Sequence, residues 1–319
     1  MITEAEQLKH LGFLGIFKES HNIIVSKWSC IFIKIFLALI FPFCLLTLTD
    51  MHISDFLLLK IMSNHINLDD TMSFYPSYKR IKRELALQWP LFGISNLLYF
   101  LVGLIVLYLF SISAISYAVN SIYASKDTTF KEVVRAAPKV WKKLVITFLW
   151  NFFIQFIPIF ATLLAIFLVL GIIGGYAALA ILICAIVFIL FIAGFMYLNV
   201  IWSLASVVSV LEECYGLRAF KRSKDLMKGK KKLCIGIYMV FEVLLVIVQV
   251  LYLMLVGSFN SRSPIVAYAT VPVFCFLLLV LVLLGLVAQT ILYLVCKSHH
   301  HELNSRSSLG DQLDGHMGP

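Results

Sequence analysis

The chain alternates between long apolar runs and short polar or glycine-rich breaks. Six runs, over residues 28–48, 89–110, 144–170, 176–211, 233–256 and 265–296, have the length of membrane-crossing helices. About 20 apolar residues cross the hydrocarbon core as a helix, where every backbone N–H and C=O must be satisfied within the segment. Residues 144–211 contain no Asp, Glu, Lys, Arg or His in 68 positions, so this stretch crosses at least twice. Its one turn signal, Gly171-Ile172-Ile173-Gly174-Gly175, predicts a tight uncharged connection between spans three and four. Span two stays uncharged to Ser125 and span four has 36 residues, so both are expected to project beyond the hydrocarbon or to tilt.

The polar stretches predict different elements. Residues 4–26 place Leu8, Leu11, Leu14 and Phe17 at helical spacing among Lys9, Lys18 and Glu19. That pattern predicts an amphipathic helix lying along the membrane or packed on the bundle. Residues 49–88 read as an external loop with short helices. From Lys297 onward Ser, His, Gly and Asp predominate, a composition without enough apolar surface to order it. The expected organisation is an N-terminal amphipathic segment (1–27), a six-helix transmembrane domain (28–296) and a disordered cytosolic tail (297–319). The predicted fold class is all-α, a polytopic membrane helical bundle with two basic amphipathic elbows.

The elbows are residues 126–143 and 212–232, with net charges of +4 and +5, which together equal the formal charge of the whole chain, +9. Thr129-Phe130-Lys131-Glu132 has capping-box spacing and predicts a helix start. Phe130, Val133, Val134 and Ala137 then fall on one face, with Lys131, Glu132, Arg135 and Lys139 largely on the other. In the second elbow Leu217, Phe220 and Met227 are expected to face the membrane, leaving Arg218, Lys221, Arg222 and Lys228 for water or lipid phosphate.

Composition narrows the class further. The chain is 61% hydrophobic and 13% charged, against roughly 45–50% and about 25% for soluble domains, which excludes a single soluble globule. The first apolar run is too long for a cleaved leader and reads as a retained span. Of the 26 Lys and Arg, 19 lie before span one, in the two elbows or after span six, six lie in the alternate connections, and Lys34 is within span one. The positive-inside rule therefore places both termini and both elbows in the cytosol. Lys79-Arg80-Ile81-Lys82-Arg83 opposes this arrangement, because it falls outside immediately before span two. The seven cysteines lie in or beside apolar segments without a disulfide spacing; Cys214, Cys234 and Cys296 adjoin basic membrane ends, where palmitoylation competes with a simple packing role.

Candidate chemistry is sparse. Asp50, His52, Asp55, His65, Asp69 and Asp70 share the first polar stretch, and His299, His300 and His301 are consecutive, but neither set has a ligand spacing, so no metal or cofactor is expected. Glu242 is the sole acidic residue within the six spans, nine positions after Leu233. Such a carboxyl must face protein or water, or stay protonated. Gln249, Asn151, Gln155 and Asn199 are the polar residues available to it, either as an interhelical packing network or as a midplane site. Pro42, Pro158 and Pro272 fall in spans one, three and six, where each removes a backbone donor.

Ser113, Ser116, Phe130, Lys131 and Lys142 recur 90 positions later as Ser203, Ser206, Phe220, Lys221 and Lys232. A parallel repeat of spans two and three by spans four and five and a chance recurrence account for this equally. The segment Tyr215-Gly216-Leu217-Arg218-Ala219-Phe220-Lys221-Arg222-Ser223-Lys224-Asp225-Leu226-Met227-Lys228-Gly229-Lys230 resembles the Gly-x-x-Ala-hydrophobic-x-x-Ser-x-x-Leu-x-x-Gly pattern of the membrane domain attached to some bacterial glycerophosphodiester phosphodiesterases. Across most of residues 10–296, including Lys126-Asp127-Thr128-Thr129-Phe130-Lys131 and Pro138-Lys139-Val140-Trp141-Lys142, the chain more closely resembles a plant family of uncharacterised multi-pass transmembrane proteins. In the phosphodiesterases the chemistry belongs to a separate soluble barrel, for which this chain has no room. The resemblance implies a fold and a membrane setting and no activity.

The sequence thus leads to the expectation of a non-catalytic integral membrane protein that organises lipid or anchors a cytosolic partner. The cations expected to carry this are Lys131, Arg135, Lys139, Lys142 and Lys143 in the first elbow, and Arg218, Lys221, Arg222, Lys228, Lys230, Lys231 and Lys232 in the second. Anionic lipids on the cytosolic face are the expected partners, with a cytosolic protein possible and no nucleic acid. The expected location is the endoplasmic reticulum, another endomembrane or the plasma membrane. The alternative is a small transporter or lipid translocator with a site near Glu242.

Overall fold

A computed structural model describes residues 12–25, 29–70, 76–124, 129–173, 177–212, 214–260 and 264–316. All regular elements in them are helical. They are α1 (Phe13–Val25), α2 (Ser29–Ile35), α3 (Phe41–Asp70), α4 (Pro76–Leu98), α5 (Leu109–Tyr123), α6 (Phe130–Ile173), α7 (Ala177–Leu211), α8 (Leu217–Leu226), α9 (Lys231–Asn260) and α10 (Pro264–His316). Wide π-type turns, Phe36–Ile40 and Tyr99–Tyr108, join α2 to α3 and α4 to α5 without breaking the helices. The first wide turn directly precedes Pro42, whose ring would clash with the carbonyl four residues back in a regular helix. Among the described residues six helical segments are long and apolar enough to cross a membrane. The protein is an all-α, multi-pass membrane bundle.

The helices pack as two compact units, Met1–Phe32 with Ile112–Val243 and Leu284–Pro319, and Ile33–Ser111 with Leu244–Leu283. In the second unit, residues 49–88 are not the external loop expected from their polarity. Here α3 and α4 continue the flanking spans and pair antiparallel. Asn64 Nδ2 donates to Gln88 Oε1 at 3.1 Å, Ser95 Oγ to Asp50 Oδ1 at 3.2 Å, and Phe43 meets Tyr108 at 5.4 Å between ring centroids. Polar side chains that find partners across a helical hairpin need no loop. Residues 29–70 span about 60 Å along the helix, roughly twice the hydrocarbon thickness, so the hairpin extends beyond the membrane. Lys79, Arg80, Lys82 and Arg83 are carried on this extension near the start of α4, where Arg80 pairs with Glu84.

In the first unit, α1 is packed on protein. Phe17 stacks on Phe241 at 5.1 Å, Glu19 accepts from Tyr123 at 3.1 Å, and Ile16, Ser20 and Ile23 are buried. Leu14 is exposed, so the buried face differs from the Leu11–Leu14–Phe17 line read from spacing; Leu8 and Leu11 lie outside the described residues. Helix α6 ends at Ile173 and α7 begins at Ala177, so the break between them coincides with the glycine cluster; Gly174 and Gly175 lie outside the described residues. Beyond Cys296 the structure continues α10 to His316, where a disordered tail was expected; no proline interrupts residues 297–316.

The first elbow also departs from expectation. Instead of a separate interfacial helix it is the N-terminal part of α6, one helix of 44 residues. Residues 126–170 contain no glycine, and Pro138 and Pro158 are both accommodated inside the helix, whereas the second elbow is bounded by Gly216 and Gly229. The helix start is as predicted. The Glu132 carboxylate accepts the Thr129 N–H at 3.3 Å, closing one half of the capping box. Val133 and Ala137 are buried, while Val134 is exposed.

Candidate functional site

Two glycines shape the second elbow. Gly216 (φ +62) caps α8 and Gly229 (φ +96) turns the chain from α8 toward α9; both values lie in the region that side-chain-bearing residues avoid. The Gly216 N–H donates to Thr147 Oγ1 at 2.8 Å, and that oxygen lies 2.8 Å from Ser209 Oγ, so α8 is tied at its N-terminal cap to both α6 and α7. Ala219, Ser223 and Leu226 follow on the inner face, all buried, and Ser223 Oγ donates to the Ile201 carbonyl at 2.8 Å. Phe220 stacks on Trp202 at 6.3 Å, and Trp202 meets Phe148 edge-on at 5.8 Å. The Gly216, Ala219, Phe220, Ser223 and Leu226 positions of the Gly-x-x-Ala-hydrophobic-x-x-Ser-x-x-Leu-x-x-Gly pattern therefore dock α8, and the final Gly229 turns the chain. Phe220 and Met227 are buried within the protein rather than turned to lipid, a correction to the amphipathic reading, while Leu217 is exposed. The helical period was read correctly, but it could not distinguish a protein surface from a membrane surface.

At the C-terminal end of α7 lies an ionic node that sequence reasoning missed. Glu212 Oε1 accepts from the Tyr293 hydroxyl at 2.7 Å and lies 3.4 Å from Lys297 Nζ, while Oε2 lies 3.2 Å from Arg222 Nε. Lys297 Nζ also donates to the Tyr293 hydroxyl oxygen at 3.1 Å and lies 5.5 Å from the ring centroid. A carboxylate following a helix C-terminus meets the negative end of the helix dipole and needs cations to hold it. Burial pushes the Glu212 carboxyl up, but the Tyr293 hydrogen bond and the Lys297 and Arg222 charges outweigh it and hold the group below the usual carboxylate range. The node joins the end of α7 and α8 to α10, whose Tyr293 is 81 residues from Glu212. Arg222 is thereby removed from the lipid-facing set to which its charge had assigned it.

The other predicted cations fall into clear groups. Lys131, Arg135, Lys139 and Lys142 on α6, and Arg218, Lys221, Lys228, Lys231 and Lys232 on and after α8, are exposed; Lys143 and Lys230 are half-buried. Lys228 pairs with Asp225 at 2.7 Å, which holds that exposed carboxyl below its ordinary range. Because α8 is anchored to α6 at Thr147, one turn beyond Lys143, the two sets of cations lie at the same end of this unit.

The intramembrane polar set separates. Gln155 Nε2 donates to Asn199 Oδ1 at 2.9 Å and reaches Asn151 Oδ1 at 3.4 Å, joining α6 and α7. Glu242 is half-buried on α9, and among the described residues it takes no part in that network; Gln249 is half-buried farther along the same helix. Among the described residues no group of three or more His, Cys, Asp and Glu is placed to hold a metal. In the second unit a cavity of about 580 Å³ is lined by Ile53, Phe56, Leu57, Leu91 and Ile94 with His52 and Ser95, and lacks convergent polar groups for chemistry.

A sequence model described as "Domain of unknown function (DUF8558)" matches the chain over residues 1–319. No curated protein and no solved structure matches it.

Proposed function

The chain belongs to the family of the domain of unknown function DUF8558, and we propose that this member is a non-catalytic membrane organiser whose two basic elbows form one cationic platform on the anionic cytosolic leaflet. The observation that carries the reading is the anchoring of α8 to α6 and α7 through Gly216, Thr147 and Ser209, which gathers the exposed cations of both elbows at one end of a unit. Each Lys or Arg near an anionic surface gains about 1 kcal/mol, so nine exposed cations hold several lipid headgroups even after screening. In this reading both termini face the cytosol, the membrane is an endomembrane such as the endoplasmic reticulum or the plasma membrane, and the partners are anionic lipids, with a cytosolic acidic protein as the other occupant. The likeness of the α8 segment to a membrane domain whose enzymes keep their chemistry elsewhere supports a platform without catalysis of its own. A transporter built around Glu242 has less support, since the carboxyl does not join the Asn151–Gln155–Asn199 network.

The test is lipid capture. Purified full-length protein in nanodiscs of mixed neutral and anionic phospholipid enriches the anionic component around itself, as read by native mass spectrometry after release. Replacing Lys131, Arg135, Lys139, Lys221, Lys231 and Lys232 with Gln reduces the enrichment several-fold at unchanged melting temperature. About 1 M salt, where the Debye length is about 3 Å, mimics the substitution. Equal enrichment by both proteins would reduce these cations to topology signals.

A further inference from the structure

We propose that a cavity of about 290 Å³ beside the start of α8, lined by Ile146, Trp150, Tyr215, Gly216, Leu217 and Arg218, is a one-lipid site that holds a phospholipid phosphate against Arg218. The proposal rests on the platform reading and narrows it from a diffuse charged surface to one residue and one bound lipid. Among the described residues Arg218 is the only charged group lining the cavity, and it is exposed. The neighbouring cations Arg222 and Lys228 already face carboxylates; among the described residues none pairs with Arg218. A guanidinium offers a rigid fork of donors matched to phosphate oxygens, which a lysine does not reproduce.

The walls fit the boundary between headgroup and hydrocarbon. Trp150 and Tyr215 combine an apolar ring with a polar tip, the residue type enriched at that level. Trp150 stands seven residues beyond Lys143, about 10 Å along α6, so it lies just inside the basic edge of the span. The floor is glycine for a reason beyond its dihedral angles, because a Cβ on Gly216 would lie 3.1 Å from Trp150 Cδ1. At about 290 Å³ the cavity lies at the lower end of the roughly 300–1,000 Å³ typical of ligand sites, enough for a phosphate and part of its glycerol.

The acyl chains have a place to lie. Phe153, Ile157 and Phe160 follow Trp150 at three, seven and ten residues, one face of α6, and all are exposed. This apolar track leads away from the cavity along the span, and it selects a phospholipid over free phosphate as the source of the anion.

Native mass spectrometry of the detergent-purified full chain titrated with phosphatidylglycerol tests this directly. The wild type is expected to retain a single lipid. Arg218→Gln weakens that retention at least tenfold at unchanged melting temperature, and Arg218→Lys recovers only part of it. Lys224→Gln, which removes an exposed charge from the same helix but lies outside both the cavity and the platform set, stays within twofold of wild type. Ile146→Trp fills the cavity without changing charge and also loses the lipid, so the conclusion does not depend on one variant. Equal losses for Arg218→Gln and Lys224→Gln would overturn the site while leaving the diffuse platform standing. Full retention in Ile146→Trp would likewise overturn it, and displacement of the lipid by inorganic phosphate would contradict the choice of a phospholipid. Failure of the platform appears elsewhere, in unchanged anionic enrichment of the six-Gln protein, so the two ideas fail separately.

Discussion

Glu212→Ala is expected to lower the stability of the purified protein by about 2 kcal/mol, read as a fall in thermal midpoint in detergent. Removing one member of a buried ion pair costs about 3–5 kcal/mol when the partner remains uncompensated. Glu212 is 14% exposed, but Arg222 and Lys297 are 34% and 35% exposed, and water recovers part of the loss for both cations. The buried Tyr293 hydroxyl loses its acceptor as well. Glu212→Gln keeps an acceptor for Tyr293 and removes only the charge, so its cost is smaller and depends on pH. The folded carboxyl titrates below the unfolded one, which means that the unfolded chain binds more protons between the two values and stability rises with pH across that window. The gap between wild type and Glu212→Gln is therefore constant above about pH 5, starts to close near the ordinary glutamate value of about 4.3 and vanishes below the folded value. A gap that widens on acidification would contradict the node as drawn.

Gly216→Ala is expected to detach α8 without unfolding the spans. At φ +62 and ψ −140 an alanine meets backbone strain of about 1–3 kcal/mol, and its Cβ meets the Trp150 ring. A helix of 10 residues has little stability of its own and depends on docking. Hydrogen exchange over Leu217–Leu226 should accelerate at least tenfold, while exchange in the α6 and α7 spans stays as in wild type. Unchanged protection of α8 would mean that Gly216 is not its anchor.

How much of this was legible in the sequence follows from the range over which each signal acts. The six spans were legible because hydropathy is summed over about 20 neighbouring residues, and the capping box because Thr129 and Glu132 are three apart. The docking face of α8 was half legible. Its Gly, Ala, Ser and Leu spacing marked a face, but the surface it meets, Trp202 and Ile201, is supplied by another helix. Residues 49–88 were misread because Asp50 and Asn64 score as loop residues until Ser95 and Gln88 are known to stand opposite. The Glu212 node was not legible at all as a site, since Arg222 is 10 residues away and Tyr293 is 81. The one local clue was the i, i+4 pair Tyr293 and Lys297 at the end of span six.

The platform has meaning only if the elbows face the anionic leaflet, and glycosylation mapping of single sites decides that. The natural chain contains no Asn-x-Ser/Thr sequon, so each engineered acceptor is read without background. Inserted beside Lys228 with a short flexible spacer, the acceptor is expected to remain unmodified in microsomes, while one placed in residues 71–75, between α3 and α4, is modified. Glycosylation beside Lys228 would put the α8 cations in the lumen and contradict the account.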